Sequence, residues 1–287
     1  IIDLDTRANQ PMCSEEGRYV IIFNGEIYNF RELRHALESK GEVFRTQSDT
    51  EVLLKLYSRE GEAMLTRLRG MFAFVIWDKA KQSVFMARDP YGIKPLYYAK
   101  SGRGWIFASQ VKALMTTKLV DSAPNPLGQM GFWFFGSVPE PHTWFRDVSA
   151  LPAGAWCQIT IEGGLEGPYH YWDIADAWRE APECKMNKMD VQEIVRSALS
   201  NSVKQHLVAD VPVGIFLSGG IDSGALAGLM REQSGASIQG ITIAFNEFKG
   251  RHEDEVPGAR EVAKRYEINH HVRTVTRREF EDDLPKI

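Results

Sequence analysis

Phe216-Leu217-Ser218-Gly219-Gly220-Ile221-Asp222-Ser223-Gly224 joins an apolar run to an apolar-periodic segment, and its reading decides the fold of the second half of the chain. Val211, Val213, Ile215, Phe216 and Leu217 have the β-branched and apolar character of a buried strand, while Ala225, Leu226, Leu229 and Met230 recur at helical spacing. The glycines between them let the backbone approach a ligand with no Cβ in the way. Successive N–H groups and the helix N-terminus can then face an anion. Asp222 would repel a bare polyphosphate, and a Mg2+ shared between Asp222 and the phosphates resolves that conflict. The loop lacks the lysine and the glycine spacing of a Walker loop. The alternative reading is a glycine-rich strand-to-helix turn with an Asp cap.

On either side of this loop the pattern alternates. Asp190 opens a helix that carries Val191, Ile194, Val195, Ala198, Leu199, Val203 and Leu207 on one face, and Glu193 stands where a capping box needs it. Strand 211–217, helix 221–233, strand 238–245, helix 254–266 and strand 269–275 follow. Such alternation predicts a parallel sheet with helices on its faces and ligands at the carboxyl ends of its strands. His270 and His271 would point to opposite faces of the last strand, which argues for structural roles rather than a shared metal.

The first half has a different rhythm. Tyr19 to Phe23 reads as a strand, Asn24-Gly25-Glu26-Ile27-Tyr28-Asn29 as the turn after it, and Phe30, Leu33 and Leu37 as one helix face. Glu42 to Arg45 reads as a strand. Asp49 caps a helix carrying Val52, Leu53, Leu56 and Tyr57, with Ser48 and Thr50 as further capping candidates. Met71–Trp77, Ser83–Arg88, Leu96–Lys100 and Trp105–Ala108 read as strands of an antiparallel meander with helices packed on it, joined by hairpins such as Ser101-Gly102-Arg103-Gly104. Ser122-Ala123-Pro124-Asn125-Pro126 marks a boundary. Leu127 to Phe135 is expected as a helix under an interdomain surface, Ala155 to Ile161 as a strand, and residues 162–187 as a polar linker. Trp133, Trp144 and Trp156 read as packing residues.

Length and composition set the outer limits. At 287 residues, with 44% hydrophobic and 25% charged side chains, the chain can build about two domains with substantial cores. A net charge of -4 offers no basic footprint for nucleic acid. Cys13, Cys157 and Cys184 are odd in number and lack metal-ligand spacing, so they read as free thiols of a reducing compartment. No apolar stretch approaches the ~20 residues that cross a bilayer, and no signal-like segment opens the sequence, which together predict a cytoplasmic protein. The chain opens Ile1-Ile2-Asp3-Leu4-Asp5, as if within a strand, and closes Leu284-Pro285-Lys286-Ile287. It reads as a fragment open at both ends.

Ser218-Gly219-Gly220-Ile221-Asp222-Ser223 resembles the pyrophosphate loop of the ATP pyrophosphatases. Asn24 to Asn29, Ser48-Asp49-Thr50-Glu51, Arg67-Leu68-Arg69-Gly70-Met71-Phe72-Ala73-Phe74, Arg88-Asp89-Pro90-Tyr91-Gly92-Ile93-Lys94-Pro95-Leu96-Tyr97-Tyr98 and Phe107-Ala108-Ser109 resemble the glutaminase domain of glutamine-hydrolysing asparagine synthetases. The resemblance implies an α/β and α+β protein of two domains. Residues 1–160 would be a four-layer αββα glutaminase of the amino-terminal-nucleophile class, 161–187 a linker, and 188–287 a parallel-sheet, Rossmann-like ATP-pyrophosphatase domain.

Carried over residue by residue, the resemblance gives Asn24 and Gly25 the oxyanion of glutamine hydrolysis, and Glu26 and Asp49 the glutamine amine. It gives Ser218, Gly219, Gly220 and Ser223 the pyrophosphate of ATP, gives Asp222 the Mg2+, and sets Phe216, Leu217 and Ile243 in the ATP site. The expected partners are glutamine, ATP and a carboxylate acceptor, aspartate foremost, with no nucleic acid and no membrane; a homodimer is left open. In the family, the nucleophilic Cys and an Arg lie upstream of Ile1 and a second Mg2+-binding Asp lies beyond Ile287. The chain alone is therefore expected to be inactive. Gly224 stands where a second Ser is usual and Gln110 where Glu is usual. The competing readings are a relative that adenylates another carboxylate, a purine-pathway or hexosamine amidotransferase, and a degenerate binding protein.

Overall fold

The computed structural model describes residues 2–102, 104–182, 186–234 and 237–286. Arg103 and Cys184 fall outside these residues. The described residues divide into two compact units that meet in sequence near residue 184.

In the first unit, β1 (Met12–Cys13), β2 (Tyr19–Ile27), α1 (Phe30–Glu38), α2 (Asp49–Glu60), β3 (Gly70–Asp78), β4 (Ser83–Arg88), β5 (Tyr97–Ser101) and β6 (Gly104–Ala108) follow in order. They are succeeded by α3 (Val111–Thr116), α4 (Pro126–Phe135), β7 (Val148–Ala150), β8 (Ala155–Ile159), β9 (Leu165–His170) and α5 (Ile174–Glu180). The expected single meander is two sheets: a six-stranded one in the order β1-β2-β3-β4-β8-β9 and a three-stranded one in the order β6-β5-β7. Every pairing in both is antiparallel.

Side-chain alternation along the strands builds the layers. Ala73, Val75, Met86, Ala155, Cys157 and Ile159 on one sheet pack with Tyr98 and Phe107 on the other. The opposite face of the larger sheet receives α2, whose Tyr57 stacks on Phe85 with ring centroids 4.9 Å apart. Leu114 of α3 covers Ala99 and Val148 on the far side of the smaller sheet.

Several local expectations give way here. Residues 2–4 form no strand. Asn24 to Ile27 continue β2 rather than turning, because β3 pairs with the whole of it, from Tyr19↔Asp78 to Ile27↔Gly70. Glu42 to Arg45 form no strand; the Glu51 carboxylate accepts from the N–H groups of Arg45 and Thr46 where a neighbouring strand would have to be. Ser48, not Asp49, caps α2, its hydroxyl accepting from Thr50 N–H at 3.1 Å. Within the stretch read as a linker, β9 adds to the edge of the larger sheet and α5 follows under an Asp173 cap. Trp156 does pack, against Phe85 and Tyr169, but Trp133 on α4 is 78% exposed and is no core residue among the described ones.

The second unit runs α6 (Lys188–His206), β10 (Gly214–Phe216), α7 (Ile221–Gln233), β11 (Gln239–Phe245), α8 (Val256–Arg265), β12 (Asn269–Val275) and α9 (Arg277–Asp283). The three strands pair in parallel in sequence order, as their helical crossovers require. Val203, Leu217, Ala227, Leu229, Ile238, Ala259 and Ile268 form the core between sheet and helices. Asn187 caps α6 in place of Asp190, its side-chain oxygen accepting from the N–H groups of Met189 and Asp190. No helix among the described residues is long and apolar enough to cross a membrane.

Candidate active site

The first cluster forms at the end of β2. Antiparallel strands direct alternate N–H groups to opposite edges, and the bonding of Phe72 settles which way β2 faces. Phe72 N–H donates to Asp89 Oδ2 and its carbonyl accepts from Asp89 N–H, so both backbone groups turn away from β2. Gly25, opposite Phe72, must then direct its own N–H to the outer edge of β2. Its neighbours in that row are taken: Phe23 N–H donates to Gln10 Oε1 at 2.6 Å and Ile27 N–H to Asp49 Oδ2 at 3.0 Å. Gly25 tolerates no side chain, since a Cβ there would lie 2.1 Å from the Met71 carbonyl oxygen; a Cβ on Gly70 would lie equally close, 2.1 Å, to that of Glu26. At φ +154° its backbone is also one that L residues rarely adopt.

Asp49 reaches this row because the Ser48 cap starts α2 next to β2, leaving the Asp49 carboxylate free to turn back toward the strand. It is only 4% exposed. Burial pushes its pKa up to about 6, the Ile27 N–H working against the rise and the Glu26 charge adding to it. Tyr28 is likewise pushed up to about 12 by burial and by the charges of Glu26 and Asp89. Asn29 ties the strand end to the following loop: its amide donates to Arg67 O and accepts from Arg69 N–H.

Asn24 is one of the residues that line a cavity of about 150 Å3, together with Gln10, Phe23, Ala73, Leu96, Phe107 and Ser109 among others. Asp89 is fully buried and accepts from the N–H groups of Phe72, Tyr91, Ile93 and Lys94. Arg88 fixes the same loop by donating to the carbonyls of Gly92, Lys94 and Leu151. Neither role was legible in the sequence, although acidic and basic neighbours ahead of Pro90 and Gly92 are a signal of a clamped turn. Asn24, Gly25, Glu26 and Asp49 thus come together on one strand edge and the helix start beside it.

In the second unit, β10 ends at Phe216 and Leu217 N–H donates to the Ile241 carbonyl at 2.8 Å. Ser218 and Ser223 then close the loop, their hydroxyls 2.7 Å apart, while Ser218 N–H donates to Ser223 Oγ and Gly220 N–H to Ser218 Oγ. Gly220 is the N-cap of α7. The loop lies against the start of α8, where a Cβ on Gly258 would come within 2.8 Å of Gly219 Cα. The close approach needs a glycine that sequence reading did not single out. Ile243 lies further along β11, beside a hollow of about 250 Å3 that Phe245, Phe248 and Asp254 also line. Phe216 is 72% exposed, whereas Leu217 is buried.

Asp222 stands in the first turn of α7 and is exposed. No group of three or more His, Cys, Asp or Glu that could hold a metal occurs among the described residues. A single carboxylate beside a phosphate loop suits Mg2+, which commonly binds through one or two carboxylates plus phosphate oxygens. Asp222 therefore fits the ion together with a phosphate ligand, not as a site by itself.

A glutamine amidotransferase domain model matches residues 1–172, and an asparagine synthase model matches residues 194–287. The chain belongs to the glutamine-hydrolysing asparagine synthetase family. Among its relatives, glutamine-hydrolyzing asparagine synthetase 1 of Bacillus subtilis is 39% identical over 289 residues, which take in 100% of this chain and 44% of that protein. A putative glutamine-hydrolyzing asparagine synthetase 2 of Methanocaldococcus jannaschii is 31% identical over 303 residues, covering 100% of this chain and 56% of that protein. The chain thus spans about half the length of the curated relatives it matches. The solved glutamine phosphoribosylpyrophosphate amidotransferase of Bacillus subtilis aligns with 92% of this chain and 48% of that one, at 20% identity and a TM-score of 0.40, too slight a likeness to carry an inference.

Two departures from the family's usual pattern sit at helix starts. Gln110 is the N-cap residue of α3 and makes no side-chain cap there, and Gly224 lies in the first turn of α7 facing Val262. Cys157 is buried and its thiol is pushed up to about 12 by burial, while Cys13 is exposed; both are free.

Proposed function

We propose that the chain carries the glutamine-hydrolysing and ATP-binding parts of an ATP-dependent amide transfer from glutamine to a carboxylate, with aspartate as the acceptor and asparagine as the product. The observation that carries the first part is the N–H row of β2, in which Gly25 stands between two anchored neighbours. In this reading the first unit is an αββα glutaminase of the amino-terminal-nucleophile class. Glutamine sits with its amine toward Glu26 and Asp49, and its side-chain carbonyl oxygen toward the Asn24 amide and the Gly25 N–H. A fixed donor at that oxygen lowers the barrier to the tetrahedral intermediate by roughly 3 kcal/mol. The small Gly25 lets the backbone come within reach of it.

In the second unit the Rossmann-like parallel sheet presents Ser218, Gly219, Gly220 and Ser223 to the pyrophosphate of ATP, with Phe216, Leu217 and Ile243 near the nucleoside. Asp222 would hold Mg2+, which when bound offsets the negative charge of the phosphates. The acceptor carboxylate attacks the α-phosphorus and pyrophosphate leaves, giving β-aspartyl-AMP. Ammonia released from glutamine then displaces AMP to form the amide. The protein is expected to work in the cytoplasm.

The test is made on the full-length protein, by pyrophosphate exchange into ATP with aspartate and with other carboxylic acids in turn. Exchange that requires aspartate supports the reading, and exchange with another acid alone refutes the acceptor. Asp222→Asn should abolish Mg2+-dependent ATP binding and leave glutamine hydrolysis intact; unchanged nucleotide affinity refutes the metal role.

A further inference from the structure

Thr242 lies in the middle of β11 and is 2% exposed. Its hydroxyl is 2.6 Å from the Leu217 carbonyl oxygen and 2.7 Å from His270 Nε2. A carbonyl only accepts, so the Thr242 hydroxyl must donate to Leu217, and its oxygen is left to accept from His270. His270 is therefore the tautomer that carries its proton on Nε2. Leu217 is the last residue before the loop, and its N–H is already held by the Ile241 carbonyl. Both polar groups of that peptide position are thus tied to β11, one directly and one through a buried side chain.

We infer that Thr242, held by His270, is a positioning residue for the phosphate loop: it fixes the Leu217 carbonyl, and so the direction in which Ser218, Gly219 and Gly220 leave the sheet. The inference rests on the reading of that loop as an ATP site. Its physical basis is the cost of a buried carbonyl left without a donor, which favours any rearrangement of 217–218 that finds water. Such a rearrangement would carry off the Ser218 hydroxyl that orders Gly220 N–H and meets Ser223. His270 fits this role by burial: it is partly shielded, and burial first, then Arg260 and His271, lowers its pKa, which keeps the ring neutral.

Thr242→Val keeps the shape of the side chain and removes the hydroxyl. In the full-length protein, without nucleotide, backbone hydrogen exchange of segment 214–224 should quicken about tenfold in Thr242→Val and return to the wild-type rate in Thr242→Ser. His270→Leu should show a smaller increase, since Thr242 remains. Mg2+-ATP affinity should fall about tenfold in Thr242→Val with the glutaminase rate unchanged. Wild-type exchange in Thr242→Val overturns the inference whatever the nucleotide does. Should that variant fail to fold, wild-type exchange in His270→Leu overturns it instead. A wild-type protein that binds no Mg2+-ATP sinks the proposed function, and the exchange rates still decide the positioning role.

Discussion

Asp49→Asn separates two consequences of one buried carboxylate. Burial lifts its pKa from 3.8 to about 6, so the folded chain binds a proton there that the unfolded chain has released. The stability due to neutral Asp49 is present in full below the unfolded value and is lost as pH rises through about 6. A displacement from 3.8 to about 6 is worth about 3 kcal/mol, the free energy that ionising Asp49 takes from the fold at neutral pH. Asparagine keeps an oxygen for the Ile27 N–H and has no charge to ionise. Asp49→Asn should therefore unfold about 3 kcal/mol less readily than wild type near pH 7.5, and the gap should close toward pH 4. In the proposed glutaminase site the same change removes a partner of the glutamine amine, and KM for glutamine should rise about tenfold. Urea unfolding across this pH range, paired with glutaminase kinetics on the full-length protein, reads both. Stability curves that run parallel for the two proteins refute the burial argument, and an unchanged KM refutes the amine contact.

Asn24→Ala should lower kcat for glutamine hydrolysis about 100-fold with little change in KM, because an oxyanion donor acts chiefly in the transition state; equal kcat would remove Asn24 from the chemistry. Gly25→Ala puts a methyl group 2.1 Å from the Met71 carbonyl oxygen and should lower stability by about 3 kcal/mol or more, seen as a thermal midpoint several degrees down. A wild-type midpoint would mean that β2 and β3 can part without cost. Asp89→Asn turns an amide group toward backbone N–H donors that now share a carboxylate, and should cost about 3 kcal/mol in urea unfolding and disorder residues 89–94.

What could be read from the sequence was what local pattern alone decides. α7, β4 and β12 appear with the expected bounds because the local signals point one way there: helical spacing after Gly219-Gly220 in α7, and short apolar or β-branched runs in β4 and β12. Asn24-Gly25 misled because that dipeptide is the strongest short hairpin signal, and only the partner strand, Gly70–Asp78, reveals that the chain runs straight on. Asp49 carries the residue type of a cap, but Ser48 lies one position earlier with the extended backbone that a cap needs. Its actual target, Ile27 N–H, is 22 residues away in sequence and invisible to any local rule. The candidate residues themselves are proposed from their motifs. Their geometry belongs to contacts between segments, as does the pairing of Thr242 with His270 across 28 residues.

Gly25 and Gly70 face each other's strands near the end of β2, and each would drive its Cβ into a carbonyl of the opposite strand. The two clashes are separate, so enlarging one glycine cannot be relieved by altering the other. No single substitution at either position leads to an intermediate that keeps the strand spacing, and a double substitution only adds the second collision. This end of the sheet is closed to stepwise drift. If Asn24 serves the proposed glutamine hydrolysis, a lineage that lost that activity could change Asn24, yet would still keep both glycines in order to fold. Their presence in a relative therefore testifies to the fold and says nothing of the proposed activity.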